Sequence, residues 1–99
     1  METKKILVRY KLKADAVIEN EKFIKAVFRQ LHERLPEGIR YTVYKLADGV
    51  SFVHIARFET ETARKAFSTM PAFLDFQSQS KDRFEEFPLS GEVEEIGAY

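Results

Sequence analysis

The chain has 99 residues, of which 16 are basic and 16 are acidic, so its formal net charge is zero. A balanced charge provides no long-range field to attract a phosphate backbone or an anionic membrane, which disfavours generic nucleic-acid or membrane binding. The sequence has no cysteine, which excludes disulfides, thiolate catalysis and cysteine-ligated zinc, and which is typical of a reducing compartment.

The length predicts one domain spanning residues 1–99. The apolar run near the start is too short for the core of a signal peptide, and no later run is long enough to cross a bilayer. We therefore expect a cytoplasmic protein that is not attached to a membrane.

Strand and helix periodicities follow one another in the first part of the chain. Residues Lys5–Lys13 alternate between apolar and mixed polar side chains, which predicts a strand. Its drier face is formed by Ile6, Val8, Tyr10 and Leu12. A helix is predicted over Asp15–Leu35, with Asp15 as its cap, and Pro36 and Gly38 end it.

The second part predicts a hairpin, a broken helix and a last strand. Strands at Ile39–Leu46 and Val50–Phe58 flank Asp48-Gly49, a pair typical of a tight turn because glycine tolerates positive φ. Thr60 is a candidate cap for a short helix, and Pro71 begins a second helical segment that extends to about Glu86. One face of that segment is marked by Phe73, Phe76, Ser80, Phe84 and Phe87. Pro88 and Gly91 end the helical pattern, and Glu92–Tyr99 is predicted as the final strand.

This order of elements predicts an α+β, ferredoxin-like βαββαβ fold with a four-stranded antiparallel sheet. Two helices cover only one face of such a sheet, and nine Phe and four Tyr are many apolar rings for a single chain to bury. We therefore expect a homodimer in which two sheets pack face to face. Each subunit is then expected to hold a pocket for a small apolar or aromatic ligand between its sheet and its helices.

Three stretches carry a resemblance to a known family. They are the third-strand text SFVHIARFETETARKAF, the Met70-Pro71-Ala72-Phe73 stretch before the second helical segment, and a final strand led by glycine. Together they resemble the antibiotic biosynthesis monooxygenase family of dimeric α/β-barrels. The resemblance implies oxidation of a small aromatic or quinol-like substrate by molecular oxygen, without a metal or organic cofactor, in a pocket of each subunit. The substrate itself supplies the electrons.

A haem-degrading branch of that family uses a first-strand Asn, a Trp and a helix-borne His that ligates the iron. This chain has no Trp, its only Asn is Asn20 in the first helix, and the segment from Pro71 to Glu86 has no His. Because the axial imidazole is missing, haem degradation by that mechanism is disfavoured.

His54 is the candidate catalytic residue. Strand alternation places it on one face with Phe52, Ala56 and Phe58, where an imidazole can act as a base near neutral pH or bind a substrate hydroxyl. The alternative is a half-buried strand residue bonded to a neighbour or lying at the dimer seam. His32 has no acidic or histidine partners at ligand spacing, so no metal site is predicted.

Six further residues are candidates for binding the substrate. They are Tyr41, Tyr44, Arg9, Arg57, Phe52 and Phe73. Tyr41 and Tyr44 occupy opposite faces of the second strand, so only one of them can share a pocket with His54. The strand arginines are expected to reach solvent, a carboxylate or a bound anion, because an unpaired buried guanidinium is costly.

Other functions stay open at the level of sequence. A non-catalytic ligand-binding or interaction dimer is the main alternative, and an isomerase or lyase using one His is a third possibility. The run from Gly49 to Ile55 partly matches the third strand of RNA-recognition motifs. However, Asp48 and Val50 stand where those motifs place a basic residue and a stacking aromatic ring, which disfavours RNA binding.

Overall fold

The computed structural model describes residues 3–78 and 82–99. Its elements are β1 (Lys4–Leu12), a 3-10 helix (Ala14–Ala16), α1 (Val17–Arg34), β2 (Ile39–Lys45), β3 (Ser51–Phe58), α2 (Glu61–Ser68), α3 (Pro71–Ser78) and β4 (Phe84–Glu92). The strands form one sheet in the order β2-β3-β1-β4, and every neighbouring pair is antiparallel. The predicted α+β, ferredoxin-like βαββαβ fold is confirmed.

The turn between β2 and β3 forms where the sequence predicts it. Gly49 has a φ of 78°, a value that glycine adopts without strain. The Asp48 carboxylate accepts hydrogen bonds from the backbone N–H groups of Val50, at 2.9 Å, and Ser51, at 2.8 Å. This turn fixes the register of β3 against β2, and therefore which β3 side chains face the helices.

The core lies between one face of the sheet and the helices. β1 contributes Tyr10 and Leu12, β3 contributes Phe52 and Phe58, and α1 contributes Ile24 and Val27. Thr60 caps α2 as predicted, since its hydroxyl accepts a hydrogen bond from the N–H of Ala63 at 3.0 Å. Asp15 does not cap α1: it lies within the 3-10 helix, and the capping residue is Ala16, whose side chain makes no capping bond. The chain enters α1 through this extra turn, so the cap position moves past Asp15.

The last strand begins earlier than predicted. β4 spans Phe84–Glu92, so Phe84 and Phe87 are strand residues and the prediction of a helix up to Glu86 is wrong. The predicted final strand at Glu92–Tyr99 is also wrong, because residues 93–99 carry no strand. Ser80, which the prediction placed on the helix, lies outside the described residues. Pro88 fits inside β4 because β4 is an edge strand and bulges there. Arg9 pairs with Leu89 and Lys11 with Glu86, so two β4 residues stand opposite Tyr10 alone.

The second face of the sheet is not covered by the helices. Its central row runs across three strands through Thr42, Ile55 and Leu7, which lie opposite one another. A second row contains Tyr44, Val53, Arg9 and Leu89. Apolar side chains on this face are thus only partly buried within one chain, and Tyr44 is 57% exposed. We call this surface the open face.

Candidate functional site

A cavity of about 230 Å³ lies between the sheet and helices α2 and α3. Its apolar walls are formed by Ile6, Val8, Ala56, Phe58, Phe67, Phe73 and Phe76. The break between α2 and α3 lies beside it, with the rings of Phe67 and Phe73 4.5 Å apart across the break. The cavity is mostly apolar, which is typical of small-molecule sites that fix a ligand with few polar groups.

The polar groups of the sheet wall form one hydrogen-bonded cluster around His54. The Tyr10 hydroxyl lies 2.6 Å from His54 Nε2, and the Tyr41 hydroxyl lies 2.6 Å from His54 Nδ1. Asn20 Nδ2 donates a hydrogen bond to the Tyr10 hydroxyl at 2.9 Å. Both ring nitrogens of His54 are therefore engaged, and we call these four residues the His54 cluster.

Strand register explains why two tyrosines reach one histidine. The direct neighbours of His54 are Val8 on β1 and Val43 on β2. Tyr10 is opposite Phe52, two residues before His54, and Tyr41 is opposite Ala56, two residues after it. Diagonal neighbours on one sheet face are within reach of long aromatic side chains. The imidazole thus lies between two phenols that approach from opposite sides.

Burial keeps the His54 cluster uncharged at neutral pH. His54 is 5% exposed, and burial lowers the pKa of its imidazole from 6.5 to about 4. Burial raises the pKa of Tyr10 to about 12, against smaller lowering effects from the Asn20 hydrogen bond and the positive charge of Arg83. Burial also raises the pKa of Tyr41. A neutral imidazole with such a low pKa is a weak base and a good hydrogen-bond partner.

The opposite wall of the cavity is contributed by the helices and contains a charged side chain. Arg64 lines it, together with Ser68 and Gln77. The Arg64 guanidinium forms a two-pronged ion pair with Glu61, with Nε 3.0 Å and 3.1 Å from the two carboxylate oxygens. Among the described residues that line the cavity, Arg64 is the only cationic one, and this ion pair holds its side chain in place.

The predicted site residues divide between the two faces of the sheet. His54, Tyr41 and Phe73 line the cavity, as the predicted pocket requires. Phe52 shares the face of His54 but is 2% exposed and stacks on Tyr10 at 5.6 Å, so it belongs to the core beneath the cavity. Arg9, Arg57 and Tyr44 do not join His54, because strand alternation turns them to the open face. Within one chain, Arg9 and Arg57 do not line this cavity, and their role in substrate binding stays a prediction.

Sequence reasoning missed Tyr10, Asn20 and Arg64. Tyr10 was correctly placed on the inner face of β1, but only the β1–β3 register shows that it reaches His54. Asn20 lies four residues before Ile24, on the apolar stripe of α1, and it is 1% exposed. A polar residue on an apolar helix stripe signals a buried hydrogen-bond partner, and this signal was present in the sequence.

Comparison with known proteins identifies the fold. No protein-family model matches the chain, and no curated protein matches it. Among solved structures, an antibiotic biosynthesis monooxygenase matches with a TM-score of 0.77 at 10% identity, over 95% of this chain and 99% of the other. SnoaB, a cofactor-independent oxygenase from Streptomyces nogalater, matches with a TM-score of 0.73 at 17% identity, over 99% of this chain and 97% of the other. The chain therefore shares the fold of these solved structures.

A third match extends over nearly the whole of both chains. Rv0793 from Mycobacterium tuberculosis has a TM-score of 0.80 at 18% identity and covers 98% of each chain. The resemblance found in the third strand and around Pro71 is therefore confirmed at the level of the fold. Within this fold, the His54 cluster lies between the sheet and the helices. None of the described helices is both long and apolar enough to cross a bilayer.

Proposed function

We propose that the protein binds a small aromatic, quinol-like molecule in the His54 cavity and oxidises it with molecular oxygen, without a metal or organic cofactor. The observation that carries the proposal is an apolar cavity with one polar cluster on its sheet wall. The monooxygenase fold, shared with a solved cofactor-independent oxygenase, supports this assignment.

The size of the cavity favours a ligand of one or two rings. An apolar cavity of about 150 Å³ is enough to hold benzene. At about 230 Å³, this cavity has room for a substituted single ring or a fused pair. The aromatic walls, among them Phe67 and Phe73, suit a flat ring by offset or edge contacts.

The proposed reaction inserts one oxygen atom into the substrate and releases the other as water. With a simple hydroquinone, one molecule of oxygen gives a hydroxyquinone and one water, and all electrons come from the quinol. The ionised quinol is the form that gives an electron to oxygen most readily. A hydroxyl donor such as Tyr41 stabilises the charge on the quinol oxygen, with the neutral His54 holding that hydroxyl in place.

Oxygen consumption with a panel of quinols and phenols tests the proposal. We expect turnover by the metal-free protein and incorporation of one labelled oxygen atom from ¹⁸O₂ into the product. His54→Ala is expected to lower kcat/KM by about 10²-fold or more, because two hydroxyls on the cavity wall lose their shared partner. His32→Ala is the matched control, since His32 is exposed on α1, and it is expected to keep full activity.

Full turnover by His54→Ala on an identified substrate would remove His54 from the mechanism. Circular dichroism of the variant separates loss of function from loss of fold. Tyr41→Phe, which removes one oxygen atom and no ring, gives a second and milder variant.

A non-catalytic ligand-binding protein is the second candidate, and a specific observation favours it. Both nitrogens of His54 are bonded to tyrosines, and the pKa of about 4 makes it a weak base. Such a site can bind a ring without performing acid-base chemistry. Saturable ligand binding without oxygen consumption would favour this candidate.

We also propose that two copies of the chain associate through the open face, forming a cytoplasmic homodimer. Lys5, Arg57 and Arg40 lie opposite one another in one row of this face, and neighbouring like charges repel. The C-terminal region supplies exposed carboxylates at Glu92, Glu94 and Glu95, and Glu95 already reaches Lys5 at 3.5 Å. A second copy supplies both an apolar cover and complementary charge.

Ile55→Glu is expected to convert the homodimer to a monomer, because it places a carboxylate in the central apolar row of the open face. Light scattering coupled to size exclusion measures the mass directly. Ile18→Glu is the matched control: Ile18 is 74% exposed on α1, so the dimer is expected to persist. A monomeric wild-type protein at micromolar concentration would overturn the assembly.

A further inference from the structure

A chain of hydrogen bonds runs from the buried end of α1 to the cavity. We propose that Asn20 is a positioning residue that fixes the tautomer of His54, makes the Tyr41 hydroxyl a donor into the cavity, and so selects ligands that carry an acceptor oxygen. The inference rests on the proposed ligand site and not on the oxygenation itself.

The Tyr10 hydroxyl has a hydrogen-bond partner on each side. It accepts a hydrogen bond from Asn20 Nδ2 at 2.9 Å and lies 2.6 Å from His54 Nε2. A phenol has one proton to donate, and among the described residues the structure gives Tyr10 only these two partners. If His54 Nε2 carried a proton, the Tyr10 proton would be buried without an acceptor, which is unfavourable. Tyr10 therefore donates to Nε2.

The tautomer of His54 follows from that bond. A neutral imidazole carries one proton, so an accepting Nε2 leaves the proton on Nδ1. The positive charge of Arg83 and the amide of Asn20 both favour Tyr10 as a donor, because both act to lower its pKa against the larger effect of burial. At the other end of the ring, Nδ1 donates to the Tyr41 hydroxyl oxygen at 2.6 Å.

The consequence lies at the cavity wall. Because the Tyr41 oxygen accepts from His54, its own proton is free of that bond and is available to a ligand. A carbonyl oxygen or an ionised phenol oxygen can accept it, whereas a hydrocarbon or a ligand with only N–H donors cannot. Asn20 is connected to the His54 ring through two hydrogen bonds, by way of Tyr10. The orientation of its amide thus determines whether the Tyr41 hydroxyl donates or accepts a hydrogen bond at the cavity wall.

Nitrogen-15 NMR of the histidine rings tests the tautomer without any ligand. The chain has two histidines, and His32→Ala assigns the spectrum. We expect a protonated Nδ1 and an unprotonated Nε2 for His54 in the wild type. A protonated Nε2, or an equal mixture of tautomers, would overturn the inference.

Ligand binding measured under anaerobic conditions tests whether the Tyr41 hydroxyl donates a hydrogen bond into the cavity. Acetophenone and α-methylstyrene have nearly the same shape, but only acetophenone has an acceptor oxygen. We expect acetophenone to bind about three- to tenfold more tightly, the range of one net hydrogen bond. Tyr41→Phe is expected to abolish this preference, and a preference that survives in Tyr41→Phe would contradict the assignment.

Asn20→Asp is expected to reverse the direction of the hydrogen bonds in the His54 cluster with almost no change of shape. An ionised carboxylate accepts from Tyr10, so Tyr10 accepts from Nε2, and Nδ1 accepts from Tyr41. In mildly alkaline solution, where a buried carboxyl group is ionised, we expect protonated Nε2, loss of the acetophenone preference and tighter binding of indole, a donor. A folded Asn20→Asp protein with an ionised carboxylate and the wild-type tautomer would contradict the role of Asn20. If wild-type tautomer and preference are found without oxygen consumption, the inference stands and the oxygenase proposal fails.

Discussion

Replacing Phe52 by alanine is expected to lower the free energy of unfolding by about 3–5 kcal/mol, the range for large aromatic side chains removed from a core. Phe52 is 2% exposed, and its ring stacks on Tyr10 at 5.6 Å. The truncation therefore leaves a void beneath the residue that supports His54. Chemical denaturation followed by circular dichroism measures the loss.

Phe87→Ala is the matched control for this prediction. Phe87 is 99% exposed within one chain, so its removal is expected to change stability by less than about 0.5 kcal/mol. Equal losses in the two variants would show that Phe52 is not in the core. A loss at Phe87 that depends on protein concentration would instead show that a second copy covers β4.

Acidification is expected to destabilise the protein between pH 6.5 and about pH 4, by about 3 kcal/mol in total. The pKa of His54 is lowered from 6.5 to about 4 by burial, and each pKa unit corresponds to about 1.4 kcal/mol. Above pH 6.5 the imidazole is neutral in the folded and the unfolded state, so its titration does not change the free energy of unfolding. Below that pH the unfolded state binds the proton first, so stability falls until the folded state is protonated too.

Unfolding free energies measured at several pH values test this expectation. The groups facing His54 are Tyr10 and Tyr41, which stay neutral in this window. The carboxyl pKa values of Glu61 and Asp48 are lowered from 4.5 and 3.8, so these groups add to the loss of stability only at the acid end of the window and below it. His54→Gln is expected to remove most of the slope between pH 6.5 and 4. An equally steep slope in this variant would place the acid sensitivity at another residue.

The fold was largely predictable because local signals agree with the final structure. Asp48-Gly49 defines the hairpin, Pro36 and Gly38 follow the end of α1, and strand alternation places His54 on the inner face. β4 was misplaced because Phe84 and Phe87 continue the three- and four-residue spacing of Phe73 and Phe76. Spacing alone does not separate an aromatic strand from a helix.

The site was only partly predictable, because its geometry depends on register between strands distant in sequence. Alternation gives the face of Tyr10, Tyr41 and His54, but not that the two tyrosines lie on opposite diagonals of the histidine. Alternation also places Arg9 and Arg57 on the face opposite to His54, so neither side chain lines the cavity. A sheet side chain reaches a pocket only if its face and its register both allow it.

Pro88 has a consequence for how copies of this chain can meet. β4 is an exposed edge, and a strand edge with free N–H and C=O groups is a template for open-ended pairing and aggregation. Pro88 has no N–H to donate, and the bulge opposite Tyr10 interrupts the regular ladder. The edge is thereby protected against continuous sheet growth, which leaves the flat face of the sheet as the surface where association can be specific and closed.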